Sequence, residues 1–152
     1  MKFRIGLLLI LSGSLLGVTY IKSEYDPHKW HVRGMSMFPA LVDGEQHVVR
    51  ENFNEIKRGD IVIAYVHDNF VVKRVIGLPG DTIELIGPAT LINGELYEEY
   101  YILLNSYKTG TYTVKENEYF IMGDNRGNSF DSRKYGSVKR HRIMGVYLFR
   151  IW

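Results

Sequence analysis

Ile61-Val62-Ile63-Ala64-Tyr65-Val66-His67-Asp68-Asn69-Phe70-Val71-Val72-Lys73-Arg74-Val75-Ile76 is the stretch on which the fold turns. Two short runs rich in β-branched and aromatic residues flank a His67-Asp68-Asn69 turn, and Arg58-Gly59-Asp60 leads into the first, so the stretch predicts a hairpin. The same pattern repeats downstream. Leu78-Pro79-Gly80-Asp81 places Pro and Gly at the central positions of a type II turn, with Thr82 to Ile86 extended after it. Asn93-Gly94, between Thr90-Leu91-Ile92 and Glu95-Leu96-Tyr97, is the strongest two-residue hairpin signal in the chain. Thr111 to Val114, Tyr119 to Met122 and Ile143 to Trp152 supply further strands. From residue 30 onward the apolar runs are short and closely punctuated, so the expected fold class is all-β, an antiparallel sheet or barrel-like domain. The sequence contains no internal repeat, low-complexity tract or dividing linker.

Upstream the character changes. After Lys2 and Arg4, Ile5 to Ile21 carries no charge, and about 17 residues at about 1.5 Å each approach the thickness of a bilayer core. Residues 1–22 are therefore expected to be an N-terminal transmembrane helix and residues 23–152 a β-rich domain. The basic residues before the run, against Glu24 and Asp26 soon after it, place the N-terminus in the cytoplasm and the domain outside. A cleaved secretory signal is the other reading, since Ser12, Gly13 and Ser14 resemble a cleavage region, but the apolar run continues past them. Either way the domain is extracytoplasmic. A buried core helix would need a polar face that the segment lacks.

With 152 residues, 45% of them apolar, the chain can bury one core. A net charge of +2 lacks the clustered basicity of a nucleic-acid-binding face, so no nucleic-acid partner is expected. The absence of cysteine excludes disulfides, thiolate zinc sites and a cysteine nucleophile. Neither metal nor cofactor is expected. His28 and His31 are too few ligands for a site, and no spacing singles out one of the five histidines as a catalytic base.

Gly34-Met35-Ser36-Met37-Phe38-Pro39 sets a small hydroxyl between two thioethers and just before a proline. Ser36 is a candidate nucleophile there, or simply a turn serine. It does not sit on a nucleophile elbow, because the second glycine of G-x-S-x-G is missing. Lys73 has two readings as well. In an extended strand it shares a face with Val71 and Val75, while Arg74 faces the other way with Val72 and Ile76. A lysine among β-branched neighbours is either desolvated, which lowers its pKa and makes it a usable base, or an edge residue holding its ammonium in water. The third segment runs from Tyr119 to Arg133, a short strand entering a loop dense in charge. Pairing Asp124 with Arg126 and Asp131 with Arg133 would stiffen that loop, and Ser129 would then direct the Lys73 amine.

Together the three segments resemble the motif set of bacterial type I signal peptidases. The S-M-x-P box is Ser36-Met37-Phe38-Pro39, the K-R-V-I-G-x-P-G-D box is Lys73 through Asp81, and the G-D-N-R-x-N-S-x-D-S-R box is Gly123 through Arg133. Arg58-Gly59-Asp60-Ile61-Val62 resembles a further family segment, and the short stretch between the second and third boxes resembles compact Gram-positive members. The resemblance implies that Ser36 is the acylated nucleophile, Lys73 the general base and Ser129 the orienting hydroxyl. Asp131 and Arg133 would be structural supports, with Arg74, Asp124 and Arg126 shaping the site. Ser36 N–H would hold the oxyanion with a second donor two residues upstream, where some members carry a hydroxyl; here that position is Gly34, which has none, so the resemblance leaves the second donor open. Ala40 and Lys139 depart from the common Thr and Pro, and neither removes a group the chemistry needs.

The same resemblance implies a membrane-bound serine endopeptidase at the outer face of the cytoplasmic membrane. Its partners would be membrane lipid and exported preproteins with small residues at the first and third positions before the cut. Met35 and Val71 are expected to line the pockets for those residues, reached by a peptide pairing with a sheet edge. A self-cleaving repressor-type protease with the same dyad is disfavoured by the membrane segment. The non-enzyme alternative is a membrane-tethered β module that binds signal peptides without cutting them.

Overall fold

A computed structural model describes residues 27–102 and 108–151 of the chain. The expected anchor over residues 1–22, the domain boundary at 23 and Trp152 lie outside the described residues.

The deciding stretch folds as the expected hairpin, β3 (Ile61–Val66) against β4 (Asn69–Gly77), with Val62 opposite Lys73 and Ala64 opposite Val71. The connection differs from the expectation in length. His67 and Asp68 both take positive φ, 47° and 59°, which makes a two-residue type I′ turn whose twist suits the flanking strands, and Asn69 enters β4. The other turns hold. Gly80 has φ 87° and Asp81 N–H donates to Leu78 O at 3.1 Å, as a type II turn requires. Asn93 and Gly94 are left-handed at 54° and 83°, joining β6 (Ala89–Ile92) to β7 (Glu95–Leu96).

The architecture is antiparallel β, in two sheets. Seven strands run in the order β1-β2-β11-β3-β4-β9-β10 and four in the order β7-β6-β5-β8. Here β1 is Pro27–His31, β2 Gln46–Arg50, β5 Thr82–Ile86, β8 Gly110–Thr113, β9 Glu118–Met122, β10 Val138–Lys139 and β11 Ile143–Ile151. The sequence pattern did not mark β1, β2 or β10, whose short runs such as Gln46-His47-Val48-Val49-Arg50 carry no clean alternation. A single turn of helix, α1 (Ser132–Tyr135), interrupts the charged loop after β9, capped by the Asp131 side chain accepting Arg133 N–H.

The period of two in β4 distributes its side chains among three apolar clusters. Val71 and Val75 pack with Val62, Ala64, Ile121 and Ile143 on the face that also carries Lys73. Ile76 joins Ile83, Phe120 and Met122, the contact between the two sheets, and Val72 packs against Met37, Leu41 and Ile61. Strand β4 lies between β3 and β9, so the base candidate sits on an interior strand of the larger sheet, next to the strand that feeds the charged loop.

Candidate active site

The loop carrying Ser36 is fastened at several points. Met37 and Leu41 are each 1% exposed and pin it into the third cluster, while Leu41 N–H donates to Met37 O at 3.0 Å. Of the two thioethers around Ser36, one is therefore a core plug; Met35 is 40% exposed. Gly34 has φ 84°, a conformation glycine adopts without penalty, and its N–H donates to Asp43 Oδ1 at 2.6 Å. From the opposite side, Asn125 N–H donates to Ser36 O at 3.0 Å and Asn125 Nδ2 to Met35 O at 3.1 Å.

Gly123, at the end of β9, makes this approach sterically feasible. A Cβ on it would fall 2.5 Å from Ser36 O and collide with the Ser129 side chain. The absence of a side chain there is what lets the charged loop and the serine loop touch.

Lys73 is buried, 4% exposed, and its Nζ lies 2.7 Å from Ser36 Oγ and 2.9 Å from Val72 O. Burial pushes its pKa down from 10.5 to about 8; the charges of Asp131 and Asp124 oppose that, and Arg133 adds to it. An amine that sheds its proton near neutrality thus stands within one hydrogen bond of a hydroxyl, the pairing a general base and nucleophile need. The hydrogen-bonding side-chain partner of Ser36 Oγ is Lys73, not a histidine. Val71 lies two residues before Lys73 on the same face and is half-buried. The Ser129 side chain packs against Gly123 in this corner, and the hydrogen-bond partners of Lys73 Nζ are Ser36 Oγ and Val72 O.

Buried ion pairs brace the surrounding wall. Asp131 and Arg133 pair as expected, through two contacts of 2.7 Å, and Asp131 also accepts Gly123 N–H at 3.0 Å. Burial pushes the Asp131 carboxyl up, but the hydrogen bonds and charge of Arg133 outweigh it and hold its pKa below the usual range. The other expected pair, Asp124 with Arg126, is corrected. Asp124 accepts both Arg74 Nε and Arg74 Nη2, at 2.9 and 2.6 Å, and Arg126 takes Glu99 instead, with Arg126 Nε donating to Gly123 O at 3.1 Å. Arg74 also stacks 4.0 Å from the Tyr101 ring centroid. Glu99 accepts from Thr90 Oγ1 and Tyr101 Oη, both at 2.7 Å. Glu99, Tyr101, Asp43 and Asn125 are the contributors that sequence reasoning did not single out. Glu99 sits among tyrosines with no periodic or motif signal, whereas Asn125 stood inside a recognised motif without an assigned role.

Comparison with known proteins places these features in context. The family described as "Signal peptidase, peptidase S26" matches residues 7–152. A signal peptidase I from Leptolyngbya laminosa is 34% identical over 165 residues, spanning 97% of this chain and 76% of that protein. One from Bacillus amyloliquefaciens is 40% identical over 135 residues, spanning 78% and 70%. A signal peptidase IB from Staphylococcus aureus is 31% identical over 158 residues, spanning 89% and 83%. Among solved structures, a signal peptidase I from Enterococcus faecalis aligns with TM-score 0.56 and 34% identity, covering 62% of this chain and 98% of that one.

Proposed function

The chain belongs to the signal peptidase family, and on that premise we propose that it is a single-pass, membrane-anchored serine endopeptidase that removes signal peptides from exported preproteins by a Ser36/Lys73 dyad. The observation that carries the proposal is the 2.7 Å contact between Lys73 Nζ and Ser36 Oγ, with the amine buried and its pKa lowered to about 8. In the neutral state Lys73 accepts the Ser36 proton as Oγ attacks the scissile carbonyl. The tetrahedral intermediate then collapses, the C–N bond breaks, and the Lys73 ammonium returns the proton to the leaving amine. The same amine deprotonates a water that hydrolyses the acyl-enzyme.

Ser36 N–H is the first oxyanion donor in this mechanism. Gly34, proposed beside it, holds its N–H on Asp43 Oδ1 and must release that carboxylate before serving as the second. Ser129 directs the Lys73 amine as the acyl-enzyme forms. Met35 and Val71 flank the dyad where small side chains before the cut would enter. Arg74, Asp124, Arg126, Asp131 and Arg133 hold the wall and take no part in bond making. Residues 1–22 tether the enzyme, so that membrane lipid and the inserted signal peptide share one surface.

The test is cleavage of a labelled preprotein in detergent or liposomes by the wild-type chain, Ser36→Ala and Lys73→Ala. Cutting at the signal site by wild type, with both folded variants inactive, supports the dyad. Binding of the preprotein without any cutting by wild type would instead make the chain a tethered signal-peptide-binding module.

A further inference from the structure

Asn125 belongs to neither member of the dyad, yet it sends two hydrogen bonds into the serine loop. Its N–H donates to Ser36 O at 3.0 Å and its Nδ2 to Met35 O at 3.1 Å. These acceptors bracket Ser36. Met35 O belongs to the same peptide unit as Ser36 N–H, and in a planar trans peptide the carbonyl and the N–H point to opposite sides. Phe38 N–H also donates to Met35 O, at 3.2 Å, so Asn125 Nδ2, at 3.1 Å, shares in holding that oxygen and thereby in setting the direction of Ser36 N–H. Accepting a hydrogen bond also polarises the amide and strengthens its N–H as a donor.

Ser36 N–H is engaged by no acceptor among the described residues, so it is available to a substrate oxygen. Gly34 N–H is committed to Asp43, which concentrates the demand for oxyanion stabilisation on Ser36. Asn125 is itself held rigidly. It is 7% exposed, and both neighbours are locked, Asp124 by Arg74 and Arg126 by Glu99 and Gly123 O. Its Oδ1 is buried and receives no donor, so the side chain's one hydrogen bond is the one to Met35 O.

We infer that Asn125 is a positioning residue that aims and polarises the Ser36 N–H as the oxyanion donor; this rests on Ser36 being the nucleophile. The ion pairs on either side then acquire a purpose beyond bracing, because they fix the backbone from which Asn125 reaches. Loss of the Nδ2 donor leaves Ser36 Oγ and Lys73 untouched, so binding and base strength stay while transition-state stabilisation falls.

The experiment uses the full chain in detergent, comparing wild type with Asn125→Ala and with Asn125→Leu, which is close in volume but brings neither a donor nor a charge. Steady-state cleavage should show kcat reduced roughly 10–100-fold with KM within about twofold, somewhat less than the loss of an oxyanion donor itself. The acid limb of the pH profile should stay where wild type has it. A peptide aldehyde, whose adduct with Ser36 carries an oxygen at the oxyanion position, should weaken in step with kcat/KM, while the non-covalent product peptide keeps its affinity. Unchanged kcat in both variants, or equal weakening of aldehyde and product peptide, would overturn the inference. If Asn125→Ala does not fold, Asn125→Leu carries the test. A wild-type chain that neither cleaves nor captures the aldehyde would remove the nucleophile and the inference together, whereas an active wild type with equally active variants removes the inference alone.

Discussion

Lys73 concentrates a burial cost and the proposed base in one side chain. Its folded pKa of about 8 lies below the unfolded 10.5, so the unfolded chain binds more protons between those values. Stability contributed by this group therefore rises with pH across that window, and at pH 7 the full burial penalty, about 3 kcal/mol, is present. Lys73→Met should abolish cleavage while raising unfolding free energy at pH 7 by up to about 3 kcal/mol, an advantage that shrinks as pH climbs from 8 toward 10.5. Urea titrations of both proteins at pH 7 and pH 10 measure it, and a less stable Lys73→Met at pH 7 would contradict it. With Lys73 as the proposed base, catalysis needs the neutral amine, so kcat/KM should fall about tenfold per pH unit below roughly 8 and level off above it. A profile flat from pH 5.5 to 9 would rule out a lysine base. The period of two in Phe70 to Ile76 made the face of Lys73 legible from sequence; burial and the serine it meets, 37 positions away, were not, because both depend on how distant loops close over that face.

At the scale of elements, turn chemistry was the most legible feature. Asn93-Gly94 and Pro79-Gly80 encode backbone conformations locally, and each appears as expected. Charge pairing in the loop after β9 was legible only where it is local. Asp131 with Arg133 is a short-range pair, whereas Asp124 with Arg74 spans 50 positions and exists because β4 pairs with β9, with Arg74 opposite Met122. Removing one member of that pair should be costly. Asp124 is fully buried, so Arg74→Ala strands a carboxylate at about 3–5 kcal/mol. The double variant Arg74→Ala/Asp124→Ala should recover part of that loss, because no buried charge is left alone. Chemical denaturation of the wild type, both single variants and the double variant closes the cycle; additive losses would mean that the two residues do not act as a pair.

Over the whole molecule, three separated sequence boxes converge because β4 is flanked by β3 and β9, and because Met37 and Gly123 let the serine loop settle against the end of β9. The order of the boxes along the chain carries no such information, since strand order in the sheet departs from sequence order. The apolar run Ile5 to Ile21 adds the remaining part of the proposal, a tether to the surface where the substrate resides. Sharing a surface raises effective concentration without new contacts, so the gain belongs to membrane-bound substrate only. In liposomes carrying the full chain, a membrane-inserted preprotein should be cut roughly 10²–10⁴ times more efficiently than a soluble peptide with the same cleavage sequence. Excess detergent micelles, which dilute enzyme and preprotein onto separate particles, should lower that ratio toward one without slowing cleavage of the soluble peptide. Equal efficiencies in liposomes would show that the apolar run contributes nothing to substrate capture. A ratio that persists in excess micelles would place the preference in contacts of the β domain rather than in the shared membrane.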